Sequence, residues 1–168
     1  MLVNKWNNII DIGINYARNR KERKVSHMRK IILASHGELS KGMLNSLNMI
    51  VGEEMTKNVF TYSLYPGESP VTFANDLREQ MEQNVEDEYV IVADVLGGSV
   101  HMALSQVVNN LHNVILFSGM NMAMLLELIV CPQTKIDISV ADRIKTSGAE
   151  GITYLTGEAM FNTEEEDF

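Results

Sequence analysis

Apolar positions cluster in short runs along residues 28–156, and helical patterns fill the stretches between them. Four runs, at 30–35, 58–64, 89–95 and 114–117, are apolar almost throughout, which is typical of strands that helices cover on both faces. Helical spacing of apolar residues follows at 40–51, 70–84, 99–110, 122–130 and 135–146. Successive strand–helix units predict an α/β fold. We expect a doubly wound, mainly parallel open sheet in the strand order 2-1-3-4, with helices on both faces.

The end of this pattern is less regular than its beginning. Residues 151–155 form a last short apolar run after the final predicted helix. We expect a strand there that sits at a sheet edge or pairs with another subunit. The domain is then expected to span residues 28–157, with an acidic tail at 158–168.

The first residues of the chain do not fit the strand–helix pattern. Residues 1–27 carry six basic and two acidic side chains, and Met28 directly precedes the first predicted strand. We expect a basic extension outside the domain. The alternative is an interfacial helix on anionic lipid, with an apolar face made by Trp6, Ile9, Ile10 and Ile14.

Composition narrows the class of protein. The 168 residues are 45% apolar and 21% charged, which fits one globular domain. A net charge of −8 argues against a nucleic-acid-binding protein. The single cysteine, Cys131, excludes a disulfide within the chain and a thiolate metal site, and fits a reducing compartment. No apolar run is long enough to cross a bilayer, so we expect a cytoplasmic protein.

Polar and glycine residues follow the first and third predicted strands. The first strand runs into Ser35-His36-Gly37, and the third runs into Asp94, with Gly97-Gly98-Ser99 before the next helix. In an open parallel sheet, ligands bind at the carboxyl ends of strands where the strand order reverses. The order 2-1-3-4 puts strands one and three beside that point. We therefore expect His36 and Asp94 to meet in one crevice.

These residue types together suggest phosphoryl transfer through a phosphohistidine. Neutral imidazole is a nucleophile near pH 7, and a carboxylate on one ring nitrogen leaves the other free to attack. The turn Gly97-Gly98-Ser99 at a helix start offers N–H groups, a dipole and a hydroxyl to an anion. Each signal alone also fits a structural histidine, a turn aspartate or a simple glycine turn. Their coincidence at neighbouring strand ends favours the functional interpretation.

Other chemistries have less support. His101 and His112 lack the spacing of metal ligands and are expected to be structural or solvent-facing. The sequence contains neither GxxxxGK[ST] nor GxGxxG, so nucleotide binding is not expected. We expect no metal and no cofactor.

Four sequence stretches carry a resemblance to a known family: KIILASHGELSKGML at 30–44, YPGES at 65–69, VADVLGGSVHMAL at 92–104 and GMNMAMLLEL at 119–128. They resemble the enzyme IIA domain of the mannose/fructose/sorbose class of the bacterial phosphoenolpyruvate-dependent sugar phosphotransferase system. The resemblance implies a doubly wound fold and a homodimer in which a C-terminal strand is exchanged. It implies that His36 takes a phosphoryl group from the phosphocarrier protein HPr. Enzyme IIB then receives the group, and membrane components IIC and IID use it, so peripheral association with the membrane is also implied.

The resemblance also implies roles for single residues. Asp94 orients His36, a pocket shaped by Asn121 encloses the site, and the phosphoryl oxygens are held by Gly37, Gly97, Gly98 and Ser99. Two alternatives stay open. One is the phosphocarrier subunit of a phosphoenolpyruvate-dependent dihydroxyacetone kinase. The other is a non-catalytic flavodoxin-like regulatory module that retains the histidine.

Overall fold

The structure, a computed structural model, describes residues 28–157. The extension at 1–27 and the acidic tail at 158–168 lie outside the described residues. Strands and helices alternate in the order β1 (Arg29–His36), α1 (Leu39–Val51), α2 (Glu53–Thr56), β2 (Val59–Leu64), α3 (Pro70–Gln83), β3 (Glu88–Ala93), α4 (Ser99–Val108), β4 (Val114–Ser118), α5 (Met122–Val130) and α6 (Ile138–Glu150).

Four parallel strands form one sheet in the order β2-β1-β3-β4. Ile31 of β1 lies opposite Val59 of β2 on one side and Val90 of β3 on the other. The predicted strand order and fold class are therefore confirmed. Because β1 and β3 are the inner strands and their connections leave in opposite directions, their carboxyl ends border the crevice where the order reverses.

Helices cover the sheet on both faces, as the continuous apolar strands require. Successive strand side chains point to opposite faces and divide the core into two clusters. The first cluster packs against α1, α5 and α6 and contains Leu33, Leu47, Val90, Val92, Phe117, Leu125, Leu128 and Ile144. The second packs against α3 and α4 and contains Ile32, Ala34, Tyr62, Phe73, Leu77, Ile91, Val100 and Leu104.

Capping residues set where several helices begin. Ser69 accepts the amide hydrogen of Val71, and Pro70 occupies the first helical position of α3. Asp137 accepts the amide hydrogen of Val140 at 2.9 Å. This cap moves the start of α6 to Ile138, three residues later than the apolar pattern predicts. The one-turn helix α2 was not predicted, because four residues are too few to display a helical period.

The last predicted strand is wrong within this chain. Residues 151–155 form no strand, and the exposed fractions of Ile152, Tyr154 and Leu155 are 76%, 86% and 81%. Their β-branched and aromatic side chains favour extended backbone, but a strand also needs a neighbour for its N–H and C=O groups. The chain leaves α6 without reaching the sheet.

We predict that Leu33→Ala lowers the free energy of unfolding by about 2–5 kcal/mol, because Leu33 is fully buried at the centre of β1 and its loss leaves a cavity. Urea unfolding followed by circular dichroism measures the change. Leu96→Ala is the control, since Leu96 is 73% exposed and its truncation should change stability by less than about 0.5 kcal/mol. Equal effects of the two substitutions on the free energy of unfolding would contradict the placement of Leu33 in the core.

Candidate functional site

His36 is the last residue of β1 and lies at the crevice between β1 and β3. Its side chain is 45% exposed, so the ring is open to solvent on one side. Gly37 follows with a φ of +54°, a conformation that glycine adopts without strain. The Gly37 amide donates to the carbonyl of Leu64 at 2.8 Å. This bond ties the turn after His36 to the end of β2.

Asp94 follows β3 and holds His36 at two points. One carboxylate oxygen, Oδ2, accepts the His36 amide hydrogen at 2.8 Å and lies 2.9 Å from His36 Nδ1. The other oxygen accepts the amide hydrogen of Val95 at 2.8 Å. Only 5% of the Asp94 side chain is exposed. A buried carboxylate thus supports an exposed imidazole, as predicted from the strand order.

The opposite ring nitrogen of His36 faces the start of α4. His36 Nε2 lies 2.9 Å from the hydroxyl oxygen of Ser99, the first residue of that helix. A Cβ atom on Gly98 would lie 3.3 Å from His36 Cε1, so the absence of a side chain at Gly98 lets the ring approach the helix. No side chain caps α4 at its N-cap Gly98. The helix start therefore presents N–H groups and a positive dipole end beside the ring.

The charge of Asp94 decides which nitrogen of His36 carries the proton. Burial raises the pKa of the Asp94 carboxyl, but hydrogen bonds from the His36 amide, the His36 ring and the Val95 amide outweigh it and hold that pKa below its ordinary value. An ionised carboxylate accepts hydrogen bonds only, so we assign the proton of neutral His36 to Nδ1. Nε2 then has a free lone pair that accepts from the Ser99 hydroxyl.

This arrangement suits nucleophilic attack by Nε2 on an electrophilic group. The ring becomes positive when Nε2 gains a bond, and the adjacent carboxylate of Asp94 stabilises that charge. The Ser99 hydroxyl and the start of α4 lie on the side where oxygens of an incoming anion would be. Orientation and charge stabilisation are both supplied by groups that are already in place.

The other predicted site residues bond elsewhere. The amide of Gly97, which has a φ of +77°, donates to His101 Nδ1 at 3.3 Å, while the Gly37 amide donates to Leu64. Asn121 accepts the amide hydrogen of Met124 at 3.0 Å and donates to the Gly119 carbonyl at 3.2 Å. Asn121 therefore caps α5 at the neighbouring strand end.

Two polar clusters near His36 were not predicted. Ser35, directly before His36, accepts the amide hydrogen of Ser40 at 2.8 Å and so caps α1 from inside the core. Further out, Lys41 lies 2.6 Å from the Tyr65 hydroxyl and 2.9 Å from a Glu38 oxygen, and Tyr65 donates to Glu38. The hydrogen bonds from Lys41 to Tyr65 and Glu38 raise the pKa of Lys41. This second cluster links the loops that follow β1 and β2, and its sequence signal was the YPGES stretch.

Residues 28–157 lack two kinds of feature. No group of three or more histidine, cysteine, aspartate or glutamate side chains is arranged to hold a metal ion. None of the helices in that range has the length and hydropathy needed to cross a membrane.

Known proteins are similar to this chain in sequence and in fold. A family model described as "EIIA-man: PTS system fructose IIA component" matches residues 30–143. The sorbose-specific EIIA component of the phosphotransferase system (PTS) of Klebsiella pneumoniae is 30% identical over 98 residues, which are 58% of this chain and 70% of that protein. The mannose-specific EIIAB component of Escherichia coli (strain K12) is 27% identical over 133 residues, which are 77% of this chain and 40% of that protein.

The solved structures agree. The PTS IIA protein associated with the fucose utilization operon of Streptococcus pneumoniae is 29% identical and superimposes with a TM-score of 0.66, covering 82% of this chain and 98% of its own. The likeness therefore extends through nearly the whole of that protein.

We predict that Asp94→Asn lowers the free energy of unfolding by about 1–3 kcal/mol at pH 7, because it weakens hydrogen bonds to a charged acceptor. The folded pKa of Asp94 lies below the unfolded value. Its stabilisation is therefore present above the unfolded pKa of about 3.9 and is lost as the pH falls through the lowered folded value. Urea unfolding at pH 7, 5 and 3 should show that the difference in free energy of unfolding between wild type and variant shrinks as the pH falls. Asp76→Asn, at an exposed position of α3, is the control; a difference that stays constant with pH would contradict the charge argument.

Proposed function

Because the chain belongs to the mannose-type enzyme IIA (EIIA-man) family of the bacterial sugar phosphotransferase system, we propose that it carries a phosphoryl group on His36. The observation that supports this assignment is the environment of the ring. Asp94 holds Nδ1, and Nε2 faces solvent, the Ser99 hydroxyl and the start of α4. The donor we propose is the phosphorylated phosphocarrier protein HPr, and the acceptor is enzyme IIB.

The proposed step is an in-line transfer between two nitrogens. His36 Nε2 gives its lone pair to phosphorus while the bond from phosphorus to the donor histidine breaks and returns its electron pair to the donor nitrogen. The proton on His36 Nδ1 stays on the hydrogen bond to Asp94, whose charge balances the positive ring. Transfer to enzyme IIB reverses these movements with a new acceptor. Catalysis is positioning and charge stabilisation, as is usual for phosphoryl transfer.

We propose different roles for the residues around the phosphoryl group. Ser99 turns its hydroxyl from Nε2 to a phosphoryl oxygen, and the absence of a side chain at Gly98 keeps that space open. Gly37 and Gly97 shape the two turns that border the crevice, since their amides already donate to Leu64 and His101. Asn121 stabilises the start of α5 at the rim.

The surface around His36 supports transfer between proteins. Four exposed apolar side chains belong to the segments that follow the two inner strands: Leu39 comes after β1, and Val95, Leu96 and Met102 come after β3. Exposed apolar side chains on the same segments as a reactive group suit a transient protein partner, whose contact expels water from the reacting nitrogens. We propose that HPr and enzyme IIB use this surface in turn. The protein would then act in the cytoplasm, and its contact with the membrane would be peripheral, through enzyme IIB and the IIC and IID components.

We predict that incubation with phosphoenolpyruvate, enzyme I and HPr adds one acid-labile phosphoryl group, which peptide mapping locates at His36. Intact-mass spectrometry at neutral pH measures it. His36→Asn should abolish the modification, because the amide has no comparable nucleophile. His112 is exposed and comes just before β4, at the end of the sheet away from His36, so the control variant His112→Asn should behave as the wild type. An unmodified chain in the presence of charged HPr, or a phosphoryl group on another residue, would refute the proposal.

We propose further that the protein is a homodimer in which the segment at 151–157 pairs with the partner subunit. The exposed apolar side chains of Ile152, Tyr154 and Leu155 support this, because such a group in a solvated tail is typical of an interaction site. Strand β4 is an edge of the sheet and has unpaired backbone groups to offer.

Size-exclusion chromatography with light scattering tests the dimer. We predict that a chain ending at residue 150 elutes as a monomer, whereas a control chain ending at residue 157 keeps the dimer. A chain ending at residue 150 that still forms a dimer would overturn this arrangement, and so would a full-length chain that is monomeric at every concentration tested.

A further inference from the structure

We propose that His101 is a positioning residue, which holds the glycine loop of the site in place by accepting the Gly97 amide hydrogen on Nδ1. The effect on transfer rests on the function proposed above for His36. The hydrogen bond itself does not depend on that function. The two claims are therefore tested by separate measurements.

The loop between Asp94 and α4 determines the distance from His36 to Ser99. Its first residue is tied down by the bond from the Val95 amide to Asp94, and the Gly98 amide donates to the Val95 carbonyl at 3.1 Å. Gly97 lies between these two fixed points with its left-handed φ of +77°. Its amide donates to His101 Nδ1 at 3.3 Å.

His101 is well placed for this role because of its position on the helix. It is the third residue of α4, so its side chain points back over the first turn toward the preceding loop. The amide of Met102 donates to the Gly98 carbonyl at 2.9 Å and starts the helical ladder. The bond from Gly97 therefore fastens the exposed tip of the loop to a turn that is itself fixed.

A shift of this loop would be transmitted directly to the reacting atoms. Gly98 lies beside the His36 ring, because a Cβ placed on Gly98 would come within 3.3 Å of His36 Cε1, and the Ser99 hydroxyl lies 2.9 Å from Nε2. Misplacement of a catalytic group by about 1 Å can cost orders of magnitude in rate. Loss of the His101 bond loosens the loop tip and lowers the fraction of time that Ser99 spends in place.

The role demands a specific protonation state. Nδ1 accepts a hydrogen bond only when it carries no proton, so neutral His101 must have its proton on Nε2. His36 has the opposite form, with its proton on Nδ1 facing Asp94. Two histidines in one site, separated by a single loop, are thus expected to be opposite tautomers. Long-range ¹H–¹⁵N correlation spectra distinguish the two forms.

Two substitutions separate the acceptor from the bulk of the side chain. His101→Asn places an amide oxygen where Nδ1 stands, whereas His101→Leu has similar size and no acceptor. Both are compared with the wild type and with His112→Leu as the control. All variants use the whole chain, and circular dichroism checks that each is folded.

We predict three results. The intact wild-type protein shows the Nε2–H tautomer at His101. Solvent exchange of the Gly97 amide, measured by NMR, is about five times faster in His101→Leu and unchanged in His101→Asn and His112→Leu, as expected for the loss of one hydrogen bond. The rate constant for phosphoryl transfer from HPr falls about five- to tenfold in His101→Leu, and KM stays the same. His101→Asn restores the rate to within about twofold of the wild type.

Two sets of results would overturn the proposal. A proton on His101 Nδ1, or equal Gly97 exchange in the wild type and His101→Leu, shows that the bond does not hold the loop. A loosened loop with an unchanged transfer rate shows that the loop tip does not position Ser99. If the wild type accepts no phosphoryl group at all, the proposed function fails, and the tautomer and exchange results still decide the role of His101 in the loop.

Discussion

The site depends on the carboxylate of Asp94. Three hydrogen atoms from two strand ends converge on its two oxygens: the amide and ring hydrogens of His36 and the amide hydrogen of Val95. This one group joins β1 to the loop after β3, selects the tautomer of His36 and supplies a negative charge beside its ring. The hydrogen bonds keep this carboxylate ionised despite its burial.

The parallel sheet makes this convergence possible. Strands β1 and β3 are neighbours although three helices and one strand separate them in the chain, so the residues that follow them meet at one end of the sheet. The helices on the two faces leave that end uncovered and bury the strands below it. The rigid two-sided core then supports short loops, which is the arrangement that lets a few side chains keep fixed distances.

Much of this could be predicted from the sequence, because apolar runs and strand order are properties of the whole pattern. The meeting of His36, Asp94 and Ser99 follows once strands one and three are adjacent. Details that depend on single side-chain directions could not be predicted. Gly37 and Gly97 were expected to hold an anion, and the sequence did not indicate that their amides donate to the Leu64 carbonyl and to His101 Nδ1. The contact of Lys41 in α1 with Tyr65 after β2 joins residues that are 24 positions apart in the chain, and no local pattern encodes such a contact.

The segment at 151–155 illustrates a different limit of prediction from sequence. Residues 151–155 have side chains that favour a strand. A strand also needs a neighbouring segment to pair with, and these residues pair with none in the described part of the chain. Propensity therefore indicates which backbone conformation the side chains favour, but it does not indicate whether a pairing neighbour is present. The same reasoning explains the start of α6, where the cap at Asp137 outweighed an apolar pattern that begins earlier.

If His36 carries a phosphoryl group as proposed, the exposure of its ring has a consequence for the lifetime of the phosphorylated protein. Nearly half of the His36 side chain is exposed while Asp94 beneath it is almost covered. An imidazole that any macromolecule can reach is also reached by water, which hydrolyses nitrogen–phosphorus bonds. This hydrolysis limits the time during which such a protein can pass its phosphoryl group on. The protein would then need to meet its acceptor faster than the phosphoryl group is hydrolysed. For such a protein, cellular abundance and fast, weak association matter more than tight binding.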